Sequence, residues 1–267
     1  SRLTSLNEVQ EYVSSLACRH LNLSQYIRIN HMTRPLASYK YYDFVMAAFV
    51  TVLLCSNLIG AAKAAQVSLP ILGTVTFGAG VLFFPISYIF GDVLTEVYGY
   101  GRDRRVIWAG FGAVLFAAIM SVVVLALTPA ADPFNTEYQT HLNAVFGNTP
   151  RIILGSVTAF WCGSFVNSYV LAKMKVAMEG RHLWMRTIGS TICGEFVDSS
   201  LFYVIAFYGI WSDSQLITVM VAQYVLKTSW EVIMTPVTYK VVAFLKRKEN
   251  EDYYDKDTNF TPFQLKV

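Results

Sequence analysis

Charge is what this sequence has least of. Of its 267 residues only 15% are Asp, Glu, Lys or Arg, against 54% hydrophobic and 15% aromatic, and the mean hydropathy is +0.42. A soluble domain of this size draws on about 25% charged residues to solvate its surface. The shortage excludes an ordinary soluble globule and leaves lipid as the solvent for most of the surface. A net charge of +3, scattered along the chain, excludes a nucleic-acid partner. The four cysteines, Cys18, Cys55, Cys162 and Cys193, are far apart with no C-x-x-C pair. Three of them fall in apolar blocks, where a free Cys acts as a small hydrophobe. His20, His31, His141 and His182 all lie outside those blocks. Their placement excludes an intramembrane Ser–His dyad, a haem held between helical histidines and a buried zinc site. No G-x-x-x-x-G-K-[ST] phosphate loop occurs, so the chain does not energise anything with its own ATP. Neither a cofactor nor an enzyme activity is expected. Residues 1–40 are basic and hold no apolar core of the signal-peptide kind.

What is present in quantity is long apolar sequence. Six blocks follow one another at 42–62, 74–98, 106–128, 152–173, 187–208 and 215–244. Each reaches the roughly 20 residues that cross a hydrocarbon core of about 30 Å. The expected fold is all-α and polytopic, with six transmembrane helices. Basic residues alternate between the connections. Arg102, Arg104 and Arg105 follow block two, and Lys173, Lys175, Arg181 and Arg186 flank the turn after block four. Lys246, Arg247 and Lys248 follow block six, while the remaining connections hold only Lys63 and Arg151. The positive-inside rule then predicts cytoplasmic N- and C-termini. The division follows as a cytoplasmic segment at 1–40, a six-helix domain at 41–246 and a cytoplasmic tail at 247–267.

Two further helices are expected outside the blocks. Ser5 and Glu8 form a capping box, and Leu6, Val9, Val13 and Leu16 recur at helical spacing, so 5–17 reads as an amphipathic helix. Asp132-Pro133 supplies an N-cap and first helical residue for a short outer helix carrying Tyr138, Leu142 and Val145.

The blocks are not uniformly apolar. Asp92 and Glu96 stand at i and i+4 in block two, and Glu195 and Asp198 at i and i+3 in block five. Gln223, Lys227 and Glu231 form one stripe of block six, and Asn57 and Asn167 sit in blocks one and four. Ionisable groups in a span face a cavity or a partner. Mutual pairing is the simpler reading, but one lysine among five carboxylates cannot neutralise them all. The remainder point to a polar cavity awaiting a ligand with hydrogen-bond donors. Asp198 and Lys227 fall at comparable depth on antiparallel neighbours, which predicts a pair. Trp161, midway along block four, reads first as a core residue and alternatively as a surface on which a flat base stacks.

Block two carries FPISYIFGDVLTEVYG over 84–99, followed by Arg104-Arg105. With Ser56-Asn57, the RTIGST run at 186–191, Gly194, Asp198, Tyr224, Lys227 and Pro236, this resembles the bacterial queuosine precursor transporter family, related to vitamin uptake transporters. The resemblance implies a six-helix inner-membrane transporter similar in fold to the substrate-binding subunits of energy-coupling vitamin importers. It implies 7-deazaguanine-type substrates such as the 7-cyano and 7-aminomethyl forms. Asn57, Asp92, Asp198 and Lys227 stand where the family pattern places them, and Glu96 and Glu195 fall at its variable positions. The candidate substrate-binding set is Asn57, Asp92, Glu96, Trp161, Asn167, Glu195, Asp198, Gln223, Lys227 and Glu231. The partners expected are a small purine-like molecule and the lipid bilayer, with homo-oligomerisation or an energising module left open. Two other readings stay open: a vitamin-type binding subunit that needs an external ATP-driven module, and an intramembrane enzyme using the carboxylates.

Overall fold

The computed structural model describes residues 39–60, 64–69, 73–78, 82–147 and 150–265. The amphipathic helix expected at 5–17 lies outside them. The chain divides at Lys40 into two units, and the second, Tyr41–Val267, carries all the structure considered below.

This unit is predominantly helical. Helix α1 is Tyr42–Cys55, continued by one π turn at Ser56–Gly60. A hairpin of β1 (Ala64–Leu69) and β2 (Gly73–Gly78) follows. Then come α2 (Phe84–Tyr98), α3 (Tyr100–Ala126), α4 (Pro133–Phe146), α5 (Pro150–Ala177), α6 (Leu183–Phe207) and α7 (Asp213–Glu249). The strands are antiparallel, in register from Ala64 opposite Gly78 to Leu69 opposite Gly73.

The hairpin corrects the reading of 74–98 as one long apolar span. Thr74, Val75 and Thr76 are β-formers bracketed by Gly73 and Gly78, and glycine weakens a helix interior. A helix starts only where Pro85 occupies its first turn. The resulting α2 has 15 residues, about 22 Å at 1.5 Å each, shorter than a hydrocarbon core. Hydropathy by itself does not distinguish a strand from a helix when both are apolar.

Among the described residues four helical stretches are long and apolar enough to cross a membrane: Tyr42–Ile59, Tyr100–Ala126, Leu183–Phe207 and Asp213–Glu249. The far half of α3 shows why lipid is the required solvent. Phe116, Ile119, Val122, Val123 and Val124 all project outward and exposed on one element. By contrast α2 is enclosed: from Ser87 to Tyr98 nearly every side chain is buried against α1, α3, α5 and α7. The expected outer helix is present as α4, where the Asp132 carboxylate accepts from the Asn135 backbone N–H at 3.0 Å. Hydrogen bonds from the Asn135 side chain and backbone hold the Asp132 carboxyl below its usual range.

Residues 250–265 have no helix, yet they are seated rather than loose. Asp255 accepts from the Tyr100 backbone N–H, Arg104 donates to the carbonyls of Asn259 and Thr261, and Trp108 donates to that of Pro262. Tyr100, Arg104 and Trp108 recur at i+4, so one stripe of α3 receives the segment. Gly99, at φ +85°, turns the chain between α2 and α3, and a Cβ there would run into the Tyr253 ring.

Candidate functional site

The site is built where α5 and α6 approach most closely. A Cβ on Gly163 would stand 2.8 Å from both the Asp198 Cβ and the Tyr88 hydroxyl, and one on Gly194 would stand 2.7 Å from the Asn167 Cβ. Two glycines facing each other across the helix pair therefore bring Tyr88, Asn167 and Asp198 into one neighbourhood. The expected pair is there. Lys227 Nζ lies 2.6 Å from Asp198 Oδ2 and 2.9 Å from Glu195 Oε2, with all three side chains nearly or fully buried. Lys227 is thus shared by both acids of α6, because i and i+3 put them on one face.

Asp92 has a different partner. Its Oδ1 accepts from Asn167 Nδ2 at 2.7 Å, while Asp92 Oδ2 and Asn167 Oδ1 are buried without a hydrogen bond among the described residues. Asn167 also lines a narrow cavity with Phe49, Ser87, Tyr88, Ile107 and Asp103, with room for about one water molecule. Asp103, wholly buried, was not a candidate. Its Oδ2 accepts from Thr95 Oγ1 at 3.0 Å, Thr95 meets Ser168 at 2.9 Å, and Asp103 Oδ1 has no partner among the described residues. Flanked by arginines it reads as a loop residue. Extending the helical period of block three four residues upstream of Ile107 would have placed it on the inner face.

Glu96 shares a helix face with Asp92 but not its surroundings. Its Oε1 accepts from Arg186 at 2.8 Å and Lys246 at 2.7 Å, and Lys175 Nζ stands 3.6 Å away. Lys175 and Lys246 also bind Asp252 at 2.5 and 2.8 Å. Burial alone would raise the Asp252 carboxyl, but the two lysines hold it below its ordinary value. This ion cluster ties α2, α5, α6 and α7 to the segment after α7 at the arginine-rich end of the bundle. One turn of α2, about 6 Å of rise, separates it from Asp92.

The other candidates fall as follows. Glu231 is buried among the acids of α2 and α6. Gln223 is half-buried, one turn from Lys227 on the same stripe. Asn57 lies in the π turn, donating to the Leu53 carbonyl and accepting from Ser156, which joins α1 to α5. Trp161 packs edge-on against Phe165 and Trp108, with centroids 5.0 and 5.6 Å away, and meets Phe263 of the C-terminal segment at 5.9 Å. Its ring packs in this aromatic cluster, while its Nε1 is buried without a hydrogen bond among the described residues. Among the described residues no group of His, Cys, Asp and Glu could hold a metal ion.

Comparison with known proteins supplies a context. The family described as "Putative vitamin uptake transporter" matches residues 78–241, more than half the chain and every candidate except Asn57. The "Probable queuosine precursor transporter" of Bacillus subtilis (strain 168) is 30% identical over 208 residues, 77% of this chain and 86% of that protein. The "Queuosine precursor transporter" of Escherichia coli (strain K12) is 25% identical over 143 residues, 54% of this chain and 60% of that one. A "Probable queuosine precursor transporter" of Haemophilus influenzae is 25% identical over 131 residues, 48% of this chain and 51% of that protein. No solved structure matches the chain.

Proposed function

The chain belongs to the family of queuosine precursor transporters, and from that membership we propose that it carries 7-deazaguanine-type bases inward across a bacterial inner membrane, without catalysing a reaction. One observation supports the choice of base. Asp92 Oδ2 and Asn167 Oδ1 are buried acceptors in hydrogen-bonded neighbours, both without a donor among the described residues. A deazaguanine offers a ring N–H and an exocyclic amine side by side, and such a donor edge complements two adjacent acceptors. Tyr88 and Phe49 supply aromatic walls to the cavity. Its present width excludes a base, so binding requires the helices around Asn167 to part. Asp198, held by Lys227 across the Gly163–Gly194 crossing, is the third contact assigned to the base.

Two measurements test this reading. Purified protein reconstituted alone in vesicles is expected to take up labelled 7-cyano-7-deazaguanine; uptake only after addition of an ATP-driven module would favour the binding-subunit reading. An analogue lacking the exocyclic amine is expected to bind about tenfold more weakly or worse, because an unpaired buried acceptor costs about 1–3 kcal/mol. Equal affinity for the two would remove carboxylate recognition from the account.

The orientation belongs to the same proposal. With the basic connections inside, both termini are cytoplasmic and all six helical blocks, α2 included, cross the membrane as one bundle. An impermeant thiol reagent added outside should label cysteines placed near Thr136 or Ser212 and spare one near Gly180. Labelling only of the cysteine near Gly180 would invert the orientation.

A further inference from the structure

Five carboxyl groups, those of Asp198, Glu195, Glu231, Asp92 and Asp103, are buried in the bundle. Glu195 interacts electrostatically with Asp198 and Glu231, and Asp92 with Glu231 and Asp103. Lys227 serves the first two acids, and Asn167 and Thr95 each satisfy one oxygen of the last two. Glu231 differs in having no such partner among the described residues. It is 1% exposed, and neither of its carboxyl oxygens meets a donor or cation among the described residues.

The groups facing it do not supply one. On α2 this is Asp92, and Glu96, one turn along, is turned to Arg186 and Lys246. On α6 it is Glu195, which together with Asp198 engages Lys227, one turn away on α7 itself. An ionised carboxylate enclosed by other acids and remote from water is costly. A carboxyl group there is stable when it holds a proton, and its acidic neighbours are Glu195 and Asp92.

We propose that Glu231 is the proton-carrying centre of a relay that couples inward movement of the base to a flow of protons. The coupling rests on the transport reading above; the proton site does not. In the first step the O–H of Glu231 breaks and an O–H forms on Asp92, which passes its proton out by way of Asp103. In the second a proton entering by way of Asp198 and Glu195 restores the O–H of Glu231 and leaves the Glu195 charge balanced by Lys227. Each transfer moves one proton between carboxylates and involves no oxidation or reduction. Chains of acidic side chains serve as proton paths in pumps and transporters generally.

The test has two arms. Infrared difference spectra of wild type and Glu231→Gln, recorded in liposomes without substrate, should differ by the band of a protonated carboxyl group. In vesicles with an acid exterior, wild type should concentrate the uncharged 7-cyano-7-deazaguanine about tenfold per pH unit for one proton per base. A protonophore should abolish the excess. Glu231→Gln should equilibrate the base without concentrating it, and Glu231→Asp should recover part of the gradient. The proposal is overturned by a Glu231→Gln protein that concentrates the base as wild type does, or by spectra lacking the band. A wild type that shows the band but moves no base would sink the transport reading and leave the Glu231 proton standing.

Discussion

Asp198→Asn is expected to give a folded, extractable protein that no longer takes up the base. The ammonium of Lys227 contacts two carboxylates, at 2.6 Å on Asp198 and 2.9 Å on Glu195. Asparagine keeps the shape of Asp198 and leaves Lys227 paired with Glu195, so no charge is stranded. What the substitution removes is one negative charge and one strong acceptor at the α5–α6 crossing. Lys227→Met differs in kind, because it leaves both acids buried without their cation. Stranding one member of a buried pair costs about 3–5 kcal/mol, so Lys227→Met should lose uptake and stability together. The two variants are compared by uptake into vesicles and by thermal unfolding in detergent. Wild-type uptake by a well-expressed Asp198→Asn protein would remove Asp198 from the site.

The second large effect is expected at Glu96, and on stability. This carboxylate is the buried centre of a cluster whose cations include Lys175 and Arg186, each only 1% exposed. Glu96→Gln leaves Asp252 as the remaining acid of the cluster, and that side chain is 43% exposed. Unfolding should become easier by about 3–5 kcal/mol, the cost of breaking a buried ionic contact from one side. Asp252→Asn should cost much less, because solvent already screens its pairs. The measurement is unfolding temperature and yield after extraction. A Glu96→Gln protein as stable as wild type but unable to bind the base would return Glu96 to the binding site.

The seating of residues 250–265 follows the same logic. Lys175, one of the cluster cations, also donates to the backbone carbonyls of Glu96 and Tyr253. The ring of Phe260 lies under Lys173 at 4.1 Å and against Tyr100 at 4.9 Å. The segment read as the C-terminal tail is therefore part of the packed unit. Its polar composition concealed this, because it is held largely through backbone carbonyls accepting from α3, and a carbonyl carries no sequence signature.

Much of the architecture was legible along the chain. Five helical blocks lie close to where apolar runs place them, and α4 begins at the Asp132-Pro133 cap. Lys227 meets Asp198 because residue spacing and rise per residue set depth and face before any packing occurs. Three things were decided only in three dimensions. The stretch at 73–78 pairs as a strand, since a short apolar run with β-branched residues is satisfied by either helix or ladder and a partner strand settles the choice. Asp92 and Glu96, on one face of one helix, go to an amide and to three cations, because a helical face fixes direction but not what stands opposite. Asp103 turns inward between two arginines because α3 starts earlier than its charges suggest. Periodicity is a local property and reports which way a side chain points. The neighbour it finds comes from chain 75 to 150 residues away, as with Asn167 for Asp92 and Lys246 for Glu96, and only the packed bundle brings those partners together.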